Sequence, residues 1–154
     1  MTVYSIGVNF ESVSNVTATP SVDVGARRTE GNNEYLYVYN AGNSQISPGF
    51  LAIVSGVSGY SVSVSSVSSV DMAIGHVRNA TLTTGTYGWI VTHGFVQGVM
   101  SANESCTAGS VLMPAADGTL VQKTISTGFV GVCHAKAQAA VASGTSGSFY
   151  IRCF

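Results

Sequence analysis

Charge is what this chain has least of. Lysine, arginine, aspartate and glutamate together make up 8% of its 154 residues, six basic against seven acidic, where about 25% is usual. A net charge of −1 sets up no long-range field to draw in nucleic acid or an anionic membrane, so neither is expected as a partner. Few like charges also means little repulsion between copies, and self-association is the expected state. The three cysteines, Cys106, Cys133 and Cys153, are an odd number without metal-type or redox-type spacing, and buried free thiols are expected. No run of about 18 apolar residues exists to cross a bilayer as a helix. The first residues, Met1-Thr2-Val3-Tyr4-Ser5-Ile6, lack the basic and apolar regions of a signal peptide, so the expectation is a protein made in a cytoplasm and not exported.

What the chain does have is glycine and short apolar runs. Three times an apolar residue, two small ones and a glycine open an apolar segment: Ile46-Ser47-Pro48-Gly49, Leu82-Thr83-Thr84-Gly85 and Cys106-Thr107-Ala108-Gly109. Glycine reaches positive φ without steric penalty, so each reads as a tight corner between strands. Asp117-Gly118 lies between Val111-Leu112-Met113 and Leu120-Val121, a hairpin signal. Gly49, Gly85, Gly109 and Gly118 are thus the structural turn glycines.

Strands follow at short spacing. Tyr4, Ile6, Val8 and Phe10 alternate with polar or small residues, the period-two pattern of a strand with one apolar face. It lies on an arm against a neighbour or forms the edge of its own sheet. The polar stretch from Glu11 to Glu34 separates it from Tyr35-Leu36-Tyr37-Val38-Tyr39, apolar on both faces and read as a central strand. Phe50 to Val54, Tyr60 to Val64, Met72 to Val77, Tyr87 to Thr92, Phe95 to Met100 and Ala135 to Ala142 read as further strands, and Gly147 to Phe154 as the last. The serine-rich tract 65–69 reads as an exposed edge or loop. The expected fold is all-β, a single sandwich or barrel-like domain of short strands over 31–154, preceded by an arm and polar linker over 1–30.

Chemistry is sparse. His76, His93 and His134 stand apart from one another and from carboxylates in any metal-ligand spacing, so no metal and no cofactor is expected. Cys133-His134 is the one nucleophile-and-base adjacency, and neighbours on a strand point to opposite faces. No catalytic residues are assigned and no enzyme is expected. Tyr35, Tyr37, Tyr39, Tyr87 and Trp89 could form a sugar-stacking patch or simply a core.

The order Gly31-x-x-Glu34-Tyr35-x-Tyr37-Val38, Asn40-Ala41-Gly42, Ile46-x-Pro48-Gly49, Leu82-x-x-Gly85-x-Tyr87-Gly88-Trp89-Ile90, Ala108-Gly109 and Asp117-Gly118 resembles the head decoration, or capsid cement, proteins of tailed double-stranded DNA phages. The Tyr-Gly-Trp segment is its most specific part, and the resemblance spans roughly residues 25–154. It implies a structural protein of the virion that binds the outer capsid surface and bridges major capsid subunits, as a homo-oligomer with a trimer favoured. Candidate contacts to capsid or neighbour are Tyr4, Ile6, Val8 and Phe10 of the arm, which would work by strand addition, and the basic doublet Arg27 and Arg28. The alternatives are a surface or fibre-type module recognising host glycans on exposed aromatics and, less favoured, a small hydrolase or metalloprotein using His93, His134 or Cys133.

Overall fold

A computed structural model describes residues 12–55, 60–64, 73–78, 80–115, 117–122 and 133–153. The fold is all-β: among the described residues, ten strands form one hydrogen-bonded sheet. They are β1 (Arg27–Glu30), β2 (Asn33–Asn40), β3 (Leu51–Val54), β4 (Ser61–Val64), β5 (Ala73–Val77), β6 (Tyr87–Val99), β7 (Val111–Pro114), β8 (Leu120–Gln122), β9 (Cys133–Ala137) and β10 (Ser146–Cys153). The two segments read as Tyr87 to Thr92 and Phe95 to Met100 are one strand of 13 residues, β6. Gly94 keeps it continuous at φ +121°. A Cβ there would run into Asn33 Oδ1 and lie 2.6 Å from the Asn32 carbonyl oxygen.

The sheet closes on itself twice, with β6 in both closures. β2 pairs with β6, β6 with β5, β5 with β3, β3 with β4, and β4 returns in parallel to β2. Further along the chain β6 pairs with β10, β10 with β9, β9 with β7 and β7 with β8. β8 returns to the end of β6 through the parallel bridge Met100↔Leu120. The second ring repeats the first in register. Leu51 faces His76 and Ala52 faces Gly75, as Val111 faces Lys136 and Leu112 faces Ala135. Tyr37 faces Trp89 and Leu36 faces Ile90, as Gln97 faces Ser148 and Val96 faces Phe149.

The glycine corners hold both rings shut. Ile46 and Leu82 exchange backbone hydrogen bonds of 3.0 and 2.9 Å, so the first two corners read from the sequence clasp each other. The third, at Cys106, exchanges bonds of 2.9 and 3.0 Å with Val141, which heads a fourth copy, Val141-Ala142-Ser143-Gly144. A fifth precedes β1, where Gly25 N–H donates to Tyr37 O at 2.8 Å and Tyr37 N–H to Ala26 O at 2.9 Å. Gly49, Gly85, Gly109 and Gly144 all adopt φ between +66° and +93°, where a side chain would be strained. Gly118 turns the β7–β8 hairpin at φ +82°.

Each ring encloses an apolar interior. In the first, Leu36, Val38, Ile46, Ala52, Val62, Val77, Leu82 and Ile90 form one buried cluster. The corresponding positions of the second, among them Val96, Met100, Cys106, Leu112, Leu120, Ala135, Val141 and Phe149, belong to a larger cluster. That cluster also takes in the outward residues Tyr35, Leu51, Ile53 and Val91 of the first ring, so one ring's back packs against the other's interior. Burying each large aliphatic side chain contributes about 1.5–3 kcal/mol. Asn40, fully buried, closes the first ring's end: its Nδ2 donates to Ser44 O and Leu82 O at 3.0 and 2.9 Å, and its Oδ1 accepts from Gly42 N–H at 3.0 Å.

Residues 12–26, read as part of a polar linker, lie along the first ring: Thr17 bridges to Tyr87, Ser21 meets Tyr37 Oη, and Val13 joins the larger cluster that includes the first ring's back. β1 pairs with β2 over four residues. The cysteine expectation is corrected. Cys106 is free and buried, but Cys153 is disulfide-bonded; the ladder between β9 and β10 sets Cys133 directly opposite it, a long-range pairing that spacing along the chain does not reveal. The segment read as a strand from Ala135 to Ala142 ends at Ala137, because the chain must turn there to bring Val141 to Cys106. The tract 65–69 lies outside the described residues.

Candidate interaction face on the shared strand

β6 passes from the first ring to the second around Gly94, just after an irregularity in its register with β2, where Glu34 faces His93 and Tyr35 faces Val91, leaving Thr92 as the extra residue. The alternation of side chains runs through this point unbroken: His93, Phe95 and Gln97 face outward while Val96 and Gly98 are buried. β10 aligns Arg152 with His93, Tyr150 with Phe95 and Ser148 with Gln97, and β9 sets Lys136 beside Tyr150. The result is a broad sheet face built from three strands, with Glu34 of β2 at its margin opposite His93.

The side chains on this face are linked. Tyr150 Oη and His93 Nε2 are 2.6 Å apart, and His93 Nδ1 lies 3.6 Å from Glu34 Oε1. The Tyr150 ring meets both His93 and Phe95 edge to face, with centroids 5.4 and 5.1 Å apart. Gln97 Nε2 donates to Ser148 Oγ at 2.7 Å. Asn33 Oδ1 accepts the Phe95 N–H at 2.7 Å, which ties the start of β2 to this part of β6. Phe95 is nonetheless 45% exposed, more than any other large apolar side chain among the described residues. An exposed aromatic held rigid by hydrogen-bonded neighbours, at low conformational-entropy cost, is the arrangement of a contact surface.

The same ladder in the first ring looks different. Tyr37 and Trp89, opposite each other, are 1% and 6% exposed, with ring centroids 5.0 Å apart. Residues 12–26 lie over them: Ser21 N–H and Oγ–H both donate to Tyr37 Oη at 3.2 Å. Trp89, Tyr35 and Tyr37 are therefore core residues and offer no platform for stacking sugars.

The positions marked by the sequence fall elsewhere. Arg27 is exposed on β1, and Arg28 pairs with Glu30 at 2.8 Å and stands 6.0 Å above the Trp89 ring. The basic doublet thus edges the first ring and does not join the face on β6. Tyr4, Ile6, Val8 and Phe10 lie outside the described residues. His76 is buried on β5 with neither ring nitrogen hydrogen-bonded among the described residues, and burial lowers its pKa to about 4, the Val77 backbone offsetting part of the shift. His93 does gain partners, but Phe95, Tyr150 and Glu34 were not singled out. The signal for Phe95 was plain alternation: His93, Phe95 and Gln97 stand two apart on one strand and so share its outward face. Among the described residues no group of three or more His, Cys, Asp or Glu side chains is placed to hold a metal ion, and no helix is long and apolar enough to cross a membrane.

No family model matches this sequence, and no curated protein matches it. Among solved structures, the chain is similar to the head fiber gp8.5 N base of bacteriophage phi29, with a TM-score of 0.51 and 14% sequence identity over 76% of this chain and 93% of that one. At that identity the likeness establishes a common fold.

Proposed function

We propose that this chain is a structural protein of a tailed-phage virion, carried on the outer surface of the head, where it binds the major capsid protein and bridges neighbouring subunits. The observation that carries this reading is the fold: a phage head fiber base is matched over nearly its whole length. The decoration-protein motifs in the sequence support it independently. Low charge, a rigid strand framework and a broad polar and aromatic sheet face suit a protein that works by lying against a large surface.

In this reading the protein is not an enzyme and needs no cofactor. Tyr150, His93 and Glu34 form a hydrogen-bonded chain, but on an open face, whereas acid–base chemistry gains most where water is excluded. Their role here is to hold the face in one shape. Binding only the assembled shell stabilises it by linkage, so that heat or internal pressure must also break the decoration contacts. A specific contact of this kind needs on the order of 1,000 Å² or more of buried surface, favouring a homo-oligomer, a trimer above all, over a lone copy. Purified protein mixed with expanded, undecorated phage capsids should co-sediment saturably at a fixed copy number. Failure to bind any expanded capsid of the phage that encodes it would overturn the proposal.

A further inference from the structure

We propose that the outer face of the second ring binds a saccharide carrying an anionic substituent, with Phe95 as the stacking ring and Lys136 and Arg152 beside the anion. The strand registers lay this face out in rows. Phe95, Tyr150 and Lys136 form one row across β6, β10 and β9, and Gln97 with Ser148 forms the next. Arg152 stands two residues along β10 from Tyr150 and so on the same side of the strand. Tyr150 is half-buried, and the other five are exposed.

Size decides the class of occupant. Neighbouring strands lie about 4.8 Å apart and alternate residues along a strand about 6.7 Å, so the rows span roughly 10 Å by 13 Å. A stable protein contact takes about 800 Å² from each partner, several times this patch, whereas two or three pyranose rings would cover it. The chemistry points the same way. A pyranose has a face of C–H bonds and a rim of hydroxyls that both donate and accept. Its C–H face suits the Phe95 ring, which is 45% exposed and held edge to face by Tyr150 at 5.1 Å between centroids, so stacking costs little side-chain freedom. Its hydroxyls suit the Gln97 amide and the Ser148 hydroxyl, which already fix each other at 2.7 Å and leave the amide oxygen and a second N–H for a ligand.

Charge complementarity selects the substituent. Lys136 and Arg152 occupy diagonal positions on β9 and β10, about 7–8 Å apart at their bases. Lys136 has no carboxylate within ion-pair distance among the described residues. Two cations so placed repel each other, and a carboxylate or sulfate between them turns that repulsion into attraction. The acid on this face, Glu34, stands at the opposite margin against His93 Nδ1 at 3.6 Å, two strands from Arg152 and so roughly 10 Å away at the backbone. With a net charge of −1 the chain adds no attraction at a distance, so the preference arises only on contact. The sequence directed any sugar stacking to Tyr35, Tyr37 and Trp89, which are core; Phe95 takes that part. The inference rests on the geometry of this face and not on capsid binding.

Calorimetric titration of the full chain would compare sialyllactose and lactose sulfate with lactose, and trigalacturonate with its methyl ester. Amide shifts of the nitrogen-15 protein locate the site, and the sialylated and sulfated probes tell carboxylate from sulfate. The expected result is an anionic probe bound tenfold or more tightly than its neutral counterpart, with shifts gathered on β6, β9 and β10. Phe95→Ser should weaken binding tenfold or more, with Phe95→Gln as a second replacement should the serine variant not fold, and Lys136→Gln should erase most of the preference for the charged probe. Thermal melts check each fold. Silence toward every probe, equal affinity for charged and neutral probes, shifts centred elsewhere, or binding indifferent to both changes would each overturn the proposal. Failure to co-sediment with capsids would leave these outcomes unchanged, so the two proposals fail separately.

Discussion

The two rings share a backbone plan but fill it differently. Leu36 and Ile90 in the first become Val96 and Phe149 in the second, facing each other across the same rung. The volume is balanced by glycines in different places. In the first ring a Cβ on Gly75 would stand 2.6 Å from Ile90 Cδ1; in the second, Ala135 occupies the Gly75 position, and a Cβ on Gly98 would stand 2.7 Å from Phe149 Cδ2. Each ring is therefore packed to its own largest inward side chain, while the glycine corners and registers stay constant. What is repeated is the hydrogen-bonded skeleton, because registers depend on turns and alternation; side chains need only fill the enclosed volume.

The rings meet at Gly94, and the largest effect is expected there. Gly94→Val forces a β-branched residue to φ +121° and drives its Cβ into Asn33 and the Asn32 carbonyl. Strain of about 1–3 kcal/mol plus the collision should lower the melting temperature by on the order of 10 °C, taking both rings down together. A calorimetric scan with two resolved transitions would instead make the rings independent. An unchanged midpoint would mean the junction tolerates a side chain.

His76 and Lys136 occupy the same register position in the two rings, one buried and unpartnered, the other exposed. With the folded pKa lowered from 6.5 to about 4 by burial, His76 is neutral in both states above about pH 6.5 and exacts no proton-linked penalty there. As the pH falls from 6.5 toward 4 the unfolded chain takes up the proton and the folded chain does not. Stability should drop by about 1.4 kcal/mol per unit, roughly 3 kcal/mol in all. Denaturant melts across this window should show the slope, and His76→Leu should flatten it while leaving stability at pH 7 within about 1 kcal/mol, since an unpaired buried polar group is removed.

How much of this could be read from the sequence follows from what each signal measures. The corners at Gly49, Gly85 and Gly109 were legible because a positive-φ turn leaves a local trace, and so was the hairpin at Asp117-Gly118. The corner at Gly25 opens with Val22-Asp23-Val24, and that at Gly144 fits the pattern but leads into Thr145-Ser146-Gly147-Ser148 and not an apolar run, so both escaped a search shaped by the other three. Ring closure was not legible, because the pairings of Ile46 with Leu82 and Cys106 with Val141 are long-range. The candidate face was missed for a related reason: the segment was read as two strands, Tyr87 to Thr92 and Phe95 to Met100, so the alternation that sets His93, Phe95 and Gln97 on one face of β6 was cut between them, and their partners on β10 are long-range. The Tyr37 and Trp89 aromatics were read as core or patch, and only the placement of residues 12–26 over them decides for core.

The packing comparison gives a more modest prediction. Gly98→Val imports the first ring's Val38 into the second, where Phe149 fills the space, and should cost about 1–3 kcal/mol by overpacking. Adding Phe149→Ile, the first ring's Ile90, should recover most of the loss, because the pair then reproduces a combination that the same skeleton already accommodates. Urea melts of both single variants and the double would measure the coupling. Strictly additive losses would mean that the two interiors are not interchangeable, whatever their registers.

The smallest effect should come from the face itself. Tyr35→Phe in the first ring takes the buried hydroxyl from Arg78 Nη1, 2.5 Å away, and from Asn33 Nδ2 at 3.4 Å, and should cost about 1–2 kcal/mol by leaving donors without an acceptor. Tyr150→Phe in the second ring removes a 2.6 Å hydrogen bond to His93 on an open face, where water replaces the lost partner, and should cost about 0.5 kcal/mol. Glu34→Gln, which weakens a pair 3.6 Å apart with both side chains more than a third exposed, should fall below that. A large loss from Tyr150→Phe would make the open face part of the folding core. A small loss would leave its ordered tyrosine, histidine and phenylalanine with little part in holding the chain together, since an exposed hydrogen bond exchanges for one with water.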